Sequence, residues 1–322
     1  MQHHNQKNIM SERPLISIVT PCFNEEDNVD ELYRRIKSVI LDLTTYKFEL
    51  IFIDNYSEDS TVAKLKIFAS TDPDVKIIVN TRNFGHIRSP YYGILQSSGV
   101  ATIYLASDLQ DPPELIPHFI KHWEEGYKLV MAVKPVSQGV AWLHALRKSY
   151  YRFVDKISEI SLLADSTGFG LYDREVLNHL RQINDPYPFL RGLICELGYE
   201  IKTISFNQPR RLRGISKNNF YSLYDIAMLG IVSHSKLPIR IAAFVGFALG
   251  VLSVLAAIAF LILKILFWNS FPMGTAPLVI GLFFLFGIQL MFIGILGEYI
   301  ASIHTYLQRR PVVVEKERVN FK

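Results

Sequence analysis

Acidic and amide side chains gather in four short runs of this 322-residue chain. The first is Pro21-Cys22-Phe23-Asn24-Glu25-Glu26, and the second is Asp54-Asn55-Tyr56-Ser57-Glu58-Asp59-Ser60. Thr81-Arg82-Asn83-Phe84-Gly85 and Ser107-Asp108-Leu109-Gln110-Asp111-Pro112-Pro113 follow. Asp54 and Glu25 are suited to accept hydrogen bonds from the base or the sugar hydroxyls of a nucleoside. Asp108 and Asp111 are spaced to offer hard oxygens to Mg2+ or Mn2+, with diphosphate and water as the remaining ligands. Departure of a nucleoside diphosphate needs such an arrangement, because negative charge builds on the leaving oxygen. No GxGxxG follows the first strand and no GxxxxGK[ST] occurs anywhere, which disfavours a dinucleotide or P-loop phosphate cradle. Taken singly, Asp54, Asp108 and Asp111 could be helix caps, and Asn83 and Gly85 plain turn residues. Their meeting on one edge is what would separate the two readings.

The elements around these runs predict that meeting. Leu15–Thr20, Phe48–Asp54, Lys76–Asn80 and Ala101–Ala106 are short and mostly apolar, rich in β-branched residues, and read as strands. Asn28–Leu43, Ser60–Ala69 and Ser89–Ser97 carry helical patterning between them. Such alternation implies an α/β fold: a mostly parallel sheet, covered on both faces, with right-handed crossovers. Ligands of these sheets bind at the carboxyl ends of the strands, where all four polar runs fall.

The C-terminal third is different. From Ile241 to Leu263 no residue is charged, and Ala276 to Leu296 is a second apolar run broken only by Gln289. Each can cross a hydrocarbon layer of about 30 Å at about 1.5 Å per residue. Lys236 and Arg240 precede the first run, and Arg309, Arg310, Lys316 and Arg318 follow the second, so both termini are expected in the cytoplasm. Asn218–Ser235, just after Arg210, Arg211, Arg213 and Lys217, reads as an amphipathic helix for the headgroup plane. Gly246 and Gly250 have a small-xxx-small spacing that could pack spans within a chain or in a homo-oligomer.

Composition narrows the classes further. A net charge of +4, from 34 basic and 30 acidic residues, gives no case for nucleic acid. Cys22 and Cys195 cannot form a disulfide scaffold or a four-cysteine zinc site, and read as reduced, packed thiols. The expected organisation is a polar tail (1–13), a catalytic domain (14–213), a juxtamembrane helix region (214–238), a two-helix hairpin (239–301) and a cytoplasmic tail (302–322).

The run Ile18 to Glu26, Asp54 through Thr61, Arg82 to Gly85 and Asp108 to Glu114 together resemble the GT-A family 2 glycosyltransferases. The chain is most similar to the polyisoprenyl-phosphate branch, which is dolichol-phosphate-mannose-synthase-like with a two-helix anchor, and within it to the bactoprenol glucosyltransferases. The resemblance spans Pro14 to Arg310, and Asp-Leu-Gln-Asp-Pro-Pro-Glu is its most specific piece. It implies a GT-A fold in which Pro21, Asn24, Glu25 and Asp54 line a nucleotide pocket, with Ser57, Asn83 and Gln110 expected beside them. Asp108 matches the second carboxylate of the family's Asp-x-Asp motif, whereas the first position falls on Ala106. Metal binding would then rest on Asp108 with Asp111 or Gln110.

The segment Asp165 to Tyr172 resembles one that relatives write with an arginine, where this chain has Gly170. Asp165 is the carboxylate left for a role near the sugar or acceptor. Arg213-Gly214-Ile215-Ser216-Lys217 resembles the family's Arg-x-Gly-x-Ser-Lys motif. With Arg147, on an expected helix from Trp142 to Ile160, it would hold the acceptor phosphate. The implied reaction is inverting transfer of a hexose, glucose from UDP-glucose favoured, to a polyprenyl phosphate such as undecaprenyl phosphate. The nucleophile would be a phosphate oxygen whose second pKa is about 6, so a general base matters less than alignment. Two alternatives stand beside this reading: an inactive membrane scaffold, favoured by Ala106 and Gly170, and a processive polysaccharide synthase.

Overall fold

The computed structural model describes residues 13–134, 163, 166–183, 185–207, 237–267, 275–308 and 310–321. They fall into two compact units, one built on a sheet and one on the two apolar helices.

The sheet unit begins with four parallel strands: β1 (Leu15–Cys22), β2 (Lys47–Asp54), β3 (Val75–Asn80) and β4 (Ala101–Tyr104). Between them run α1 (Val29–Leu41), α2 (Thr61–Thr71) and α3 (Gly85–Leu95). A 3-10 turn (Pro113–Leu115) leads into α4 (Ile116–Glu124) and β5 (Leu129–Val133). Next come β6 (Ser166–Asp173), α5 (Arg174–Gln182), α6 (Leu190–Glu196) and β7 (Ile201–Ser205). The strand order is β7-β5-β6-β4-β1-β2-β3, extended at the β3 edge by β8 (Glu315–Val319).

Alternation along the strands explains the layers. Ile16 and Ile18 of β1 face one core with Val29, Leu32 and Ile36 of α1, Leu65 of α2 and Phe119 of α4. Val19, Ile51 and Ile53 face the other, against Tyr91 and Ile94 of α3, Leu177 and Leu180 of α5, and Ile194 of α6. Both faces are therefore covered, as the near-continuous apolar strands demand. β1 pairs in parallel with β2 on one side and with β4 on the other. The strand order reverses there, and ligands of open α/β sheets bind at such a point.

Two glycines fit where backbones crowd. A Cβ on Gly99 would lie 2.6 Å from Leu15 O, and one on Gly170 would lie 2.3 Å from Val130 O. Gly170 sits in β6 between β4 and β5, so a side chain there has no room. The departure from an arginine at this position thus has a packing cause in this chain.

Near the amino end of β2, Glu49 is buried. Its carboxylate accepts Ser17 Oγ (2.5 Å), Ser98 N–H (2.7 Å) and Lys76 Nζ (2.5 Å). Burial pushes this carboxyl up, but those bonds outweigh it and hold it below its ordinary value.

The C-terminal segment corrects one expectation. Residues 302–322 are not a free tail: the second long helix runs to Leu307, and β8 pairs antiparallel with β3. Thr81 N–H donates to Val314 O (3.0 Å), Lys66 pairs with Glu317 (2.7 Å), and Tyr92 OH donates to Glu315 (2.8 Å). Asn320 Nδ2 bonds the carbonyls of Ala69 and Val75, both at 2.8 Å. The sheet unit therefore draws on both sides of the helix pair, and the domain 14–213 is completed by residues from the chain's end.

The second unit holds α7 (Leu237–Leu266) and α8 (Thr275–Leu307). Both are long and apolar enough to cross a membrane, and the apolar windows Ile239–Ala256 and Phe284–Leu307 have no buried residue. Phe244, Phe247, Phe284 and Leu290 are among the large apolar side chains they expose. Gly246 faces Phe292 of the partner helix within the chain, whereas no described residue comes within 4 Å of a Cβ placed on Gly250. The expected helices at Trp142–Ile160 and Asn218–Ser235 lie outside the described residues.

Candidate active site

Because β1 to β4 are parallel, their carboxyl ends share one edge, and Cys22 and Asp54 are in register there. The loops after β1 and β2 are sewn together. Asn24 N–H donates to Ser57 Oγ (2.9 Å), and Asn24 Oδ1 accepts Glu58 N–H (2.9 Å). Glu25 N–H donates to Thr61 Oγ1 (2.8 Å), Glu26 N–H to Asp59 (3.1 Å), and Ser60 N–H to Glu26 (2.9 Å). Glu25 itself accepts from Asn28 Nδ2 at 2.6 Å. Such a network fixes both loops before any ligand arrives.

Asp54 lies at the centre and is fully buried. One oxygen, Oδ2, accepts Tyr56 N–H (3.1 Å) and Ser57 N–H (2.9 Å). The other, Oδ1, is buried with no partner among the described residues. Burial raises its carboxyl above the ordinary value, against the lowering effect of the Ser57 and Tyr56 bonds. A buried carboxylate oxygen without a donor is costly, and an N–H or O–H of a ligand would satisfy it. Cys22 beside it is a packed thiol, pushed well up by burial and then by Asp54 and Glu25.

The loop after β4 folds onto the same edge. Ser107 Oγ donates to Pro21 O (2.8 Å), tying it to the end of β1. Asp108 Oδ1 accepts Gln110 N–H (3.2 Å), and both residues are half-buried. Asp111 is buried and turns back so that Oδ2 meets Ala106 N–H at 3.4 Å. A carboxylate from further along the loop thus stands beside position 106, where the side chain supplies none. Burial, then repulsion from Asp108, pushes the Asp111 carboxyl up to about 7. A divalent cation relieves such a pair. No group of three or more His, Cys, Asp or Glu side chains converges among the described residues. The pair therefore fits an ion completed by diphosphate oxygens and water.

Asn83, expected beside the nucleotide, also holds a turn. Its Oδ1 accepts Asn55 Nδ2 (2.8 Å) and Gly85 N–H (2.8 Å), so it holds the turn that starts α3. Asn55, for which the sequence shows no separate signal, is the organiser. It is buried, and its Oδ1 accepts Phe84 N–H (2.8 Å) and Asn80 Nδ2 (3.2 Å). Arg82, also overlooked, holds its guanidinium 4.0 Å above the Phe84 ring at the same edge. Both lie in the runs, 54–61 and 82–85, that carry the family resemblance.

The structure thus brings Pro21, Asn24, Glu25, Asp54, Ser57, Asn83, Asp108, Gln110 and Asp111 to one edge. Asp165, Arg147, Arg213, Ser216 and Lys217 lie outside the described residues.

Acidic loops on the carboxyl edge of a mostly parallel sheet, with no glycine-rich phosphate cradle, are the arrangement expected of a GT-A-type enzyme of the glycosyltransferase class. Residues 17–181 match Glycosyl transferase family 2, and the chain belongs to that family. It is 34% identical over 298 residues to an uncharacterized glycosyltransferase, sll0501, of Synechocystis sp., covering 92% of this chain and 93% of that protein. It is 32% identical over 305 residues to the SfII prophage-derived bactoprenol glucosyl transferase of Shigella flexneri, covering 94% and 97%. Among solved structures, the mannosyltransferase PcManGT of Pyrobaculum calidifontis, in complex with GDP-Man and Mn2+, overlaps with a TM-score of 0.45. That overlap has 14% identity and covers 94% of this chain and 89% of that one.

Proposed function

We propose that this glycosyltransferase moves one hexose from a nucleoside-diphosphate sugar to a polyprenyl phosphate at the cytoplasmic face of a membrane. UDP-glucose is the favoured donor and undecaprenyl phosphate the favoured acceptor. The observation that carries the reading is the gathering, on one sheet edge, of Asp54 with its unpartnered oxygen and the Asp108–Asp111 pair. The Shigella relative named for bactoprenol glucosyl transfer, alike across nearly its whole length, supports the lipid acceptor. The two unpacked apolar helices fit an enzyme whose acceptor cannot leave the bilayer.

In this reading Asp54 Oδ1 accepts a hydrogen bond from the nucleoside, and the stitched loops of Asn24, Glu25 and Ser57 hold that position rigidly. Asp108, Asp111 and Gln110 would hold Mg2+ or Mn2+, which when bound offsets the charge that builds on the leaving diphosphate. Asp165 orients the sugar, and Arg147, Arg213, Ser216 and Lys217 receive the acceptor phosphate. That phosphate is largely dianionic at neutral pH, so the protein's main contribution is to align donor and acceptor.

Chain connectivity supports the topology. β7 precedes the helix pair and β8 follows it, yet both belong to one sheet. Two crossings return the chain to the side it left, and the basic residues at both flanks make that side cytoplasmic.

The test incubates the full-length protein in detergent with labelled nucleotide sugars, a short polyprenyl phosphate and Mg2+ or Mn2+. One hexose per lipid, UDP-glucose being the best donor, is the expected product. Growth of a polymer would favour the processive alternative, and absence of any transfer would favour the scaffold.

A further inference from the structure

Four described non-glycine residues have a positive φ, and three of them, Asn24 (56°), Tyr56 (72°) and Leu109 (60°), lie in the candidate-site loops. Asparagine tolerates this conformation because its short side chain bonds locally. Leu109 is buried at 5% exposure, so packing holds it there. Tyr56 has neither excuse. It is 43% exposed, the one exposed aromatic among the described residues of the sheet unit. Its backbone conformation follows from the turn in which Asp54 Oδ2 accepts the N–H groups of residues 56 and 57. A glycine would meet that demand without steric cost. The tyrosine side chain makes no hydrogen bond, ion pair or ring contact among the described residues.

An unfavourable φ and an unpacked aromatic ring therefore coincide two residues from the buried, unpartnered oxygen of Asp54. Their Cα atoms are at most about 7.6 Å apart, because two trans peptide units span no more. Strain that the folded chain does not need is the kind that persists for a ligand. Every nucleobase has an apolar face suited to an aromatic ring.

We infer that Tyr56 is the aromatic platform for the base of the donor nucleotide, against which the base lies while Asp54 Oδ1 takes its hydrogen bond. This rests on the proposed donor site and adds to it a residue that would set how tightly, and which, nucleotide is held.

The test titrates UDP, GDP, ADP and CDP into the full-length protein with Mg2+ by calorimetry, and continues with the tightest. Tyr56→Asn keeps a residue that accepts a positive φ, and Tyr56→Phe keeps the ring. Tyr56→Asn should weaken that nucleotide by about 5- to 150-fold, the usual worth of a base–aromatic stack. It should leave binding of base-free inorganic pyrophosphate unchanged, and its Tm should be equal to or above wild type. Tyr56→Phe should restore nucleotide affinity to within about threefold. Wild-type nucleotide affinity in Tyr56→Asn, an equal loss for pyrophosphate, or a Tm that falls together with affinity would each overturn the assignment. Failure of the wild-type protein to bind any of the four nucleotides would instead refute the donor site itself.

Discussion

Replacing Asp54 by asparagine tests the donor site at its most buried atom. The carboxylate is fully buried; Oδ2 takes two backbone N–H groups, the Ser57 hydroxyl also steadies the carboxylate, and Oδ1 has no partner among the described residues. Asparagine has the same shape and can offer those groups a carbonyl oxygen, but it puts an NH2 where Oδ1 stands. If Oδ1 accepts from the nucleoside, the substitution loses one hydrogen bond to a charged acceptor, about 1.5–3 kcal/mol. At about 1.4 kcal/mol per decade this is a 10- to 100-fold weaker donor affinity. Stability moves differently. The folded carboxyl is raised above its unfolded value, so the folded state holds its proton to higher pH than the unfolded state does. Ionising it costs stability as pH rises through that window. Removing the charge offsets the weaker bonds to residues 56 and 57, and the apo Tm should shift by less than about 4 °C. Donor KM for hexose transfer and a thermal melt of the apo protein read the two effects separately. Unchanged donor KM would show that Oδ1 does not meet the nucleotide. A fall in Tm beyond about 10 °C would show that the carboxylate serves the loop instead.

Three other outcomes are expected. Glu49→Gln should cost about 2 kcal/mol at pH 7 in urea melts, because Lys76 loses a charged partner in a buried setting. The Glu49 carboxyl is held below its ordinary value, so its contribution is present above the unfolded pKa and lost as pH falls through the folded one. The variant should accordingly show a shallower loss of stability on acidification, and an unaltered acid limb would contradict this account. Gly170→Ala forces a Cβ against Val130 O and should lower Tm by about 2–12 °C, from about 1–3 kcal/mol of overpacking. A wild-type melt would show that β5 and β6 can part without cost. Deleting residues 315–322 uncovers the β3 edge and removes the Lys66–Glu317 and Tyr92–Glu315 contacts. Lower Tm and aggregation by light scattering should follow, since a bare edge strand invites pairing. Equal stability of the truncated protein would make β8 dispensable.

Much of the architecture was legible because burial is written in local periodicity. Leu15–Thr20 and Phe48–Asp54 alternate between two cores, and Asn28–Leu43 repeats its apolar residues at helical spacing. The observed elements differ from those bounds by a residue or two at the ends. The helix at Ser89–Ser97 begins earlier, at Gly85, because Asn55 and Asn83 bond the N–H groups that open it. β8 shows the opposite limit. Glu315–Val319 reads as a solvated, charged segment, and only a partner more than 200 residues away, β3, makes it a strand.

The order of residues alone determined the α/β class, the two long apolar helices, and the placing of polar runs, three of them acidic, after the first four strands. These depend on side-chain type at fixed local spacing, which chain position states directly. The folded molecule alone decided that β6 enters the sheet antiparallel beside β4, that Asp111 turns back to Ala106, and that Asp54 keeps one oxygen unpartnered. It also gave Asn83 a turn to hold and left Tyr56 strained and exposed. Each of these depends on which donors and acceptors a backbone path brings within about 3 Å, and that is a property of register and loop closure rather than of spacing along the chain.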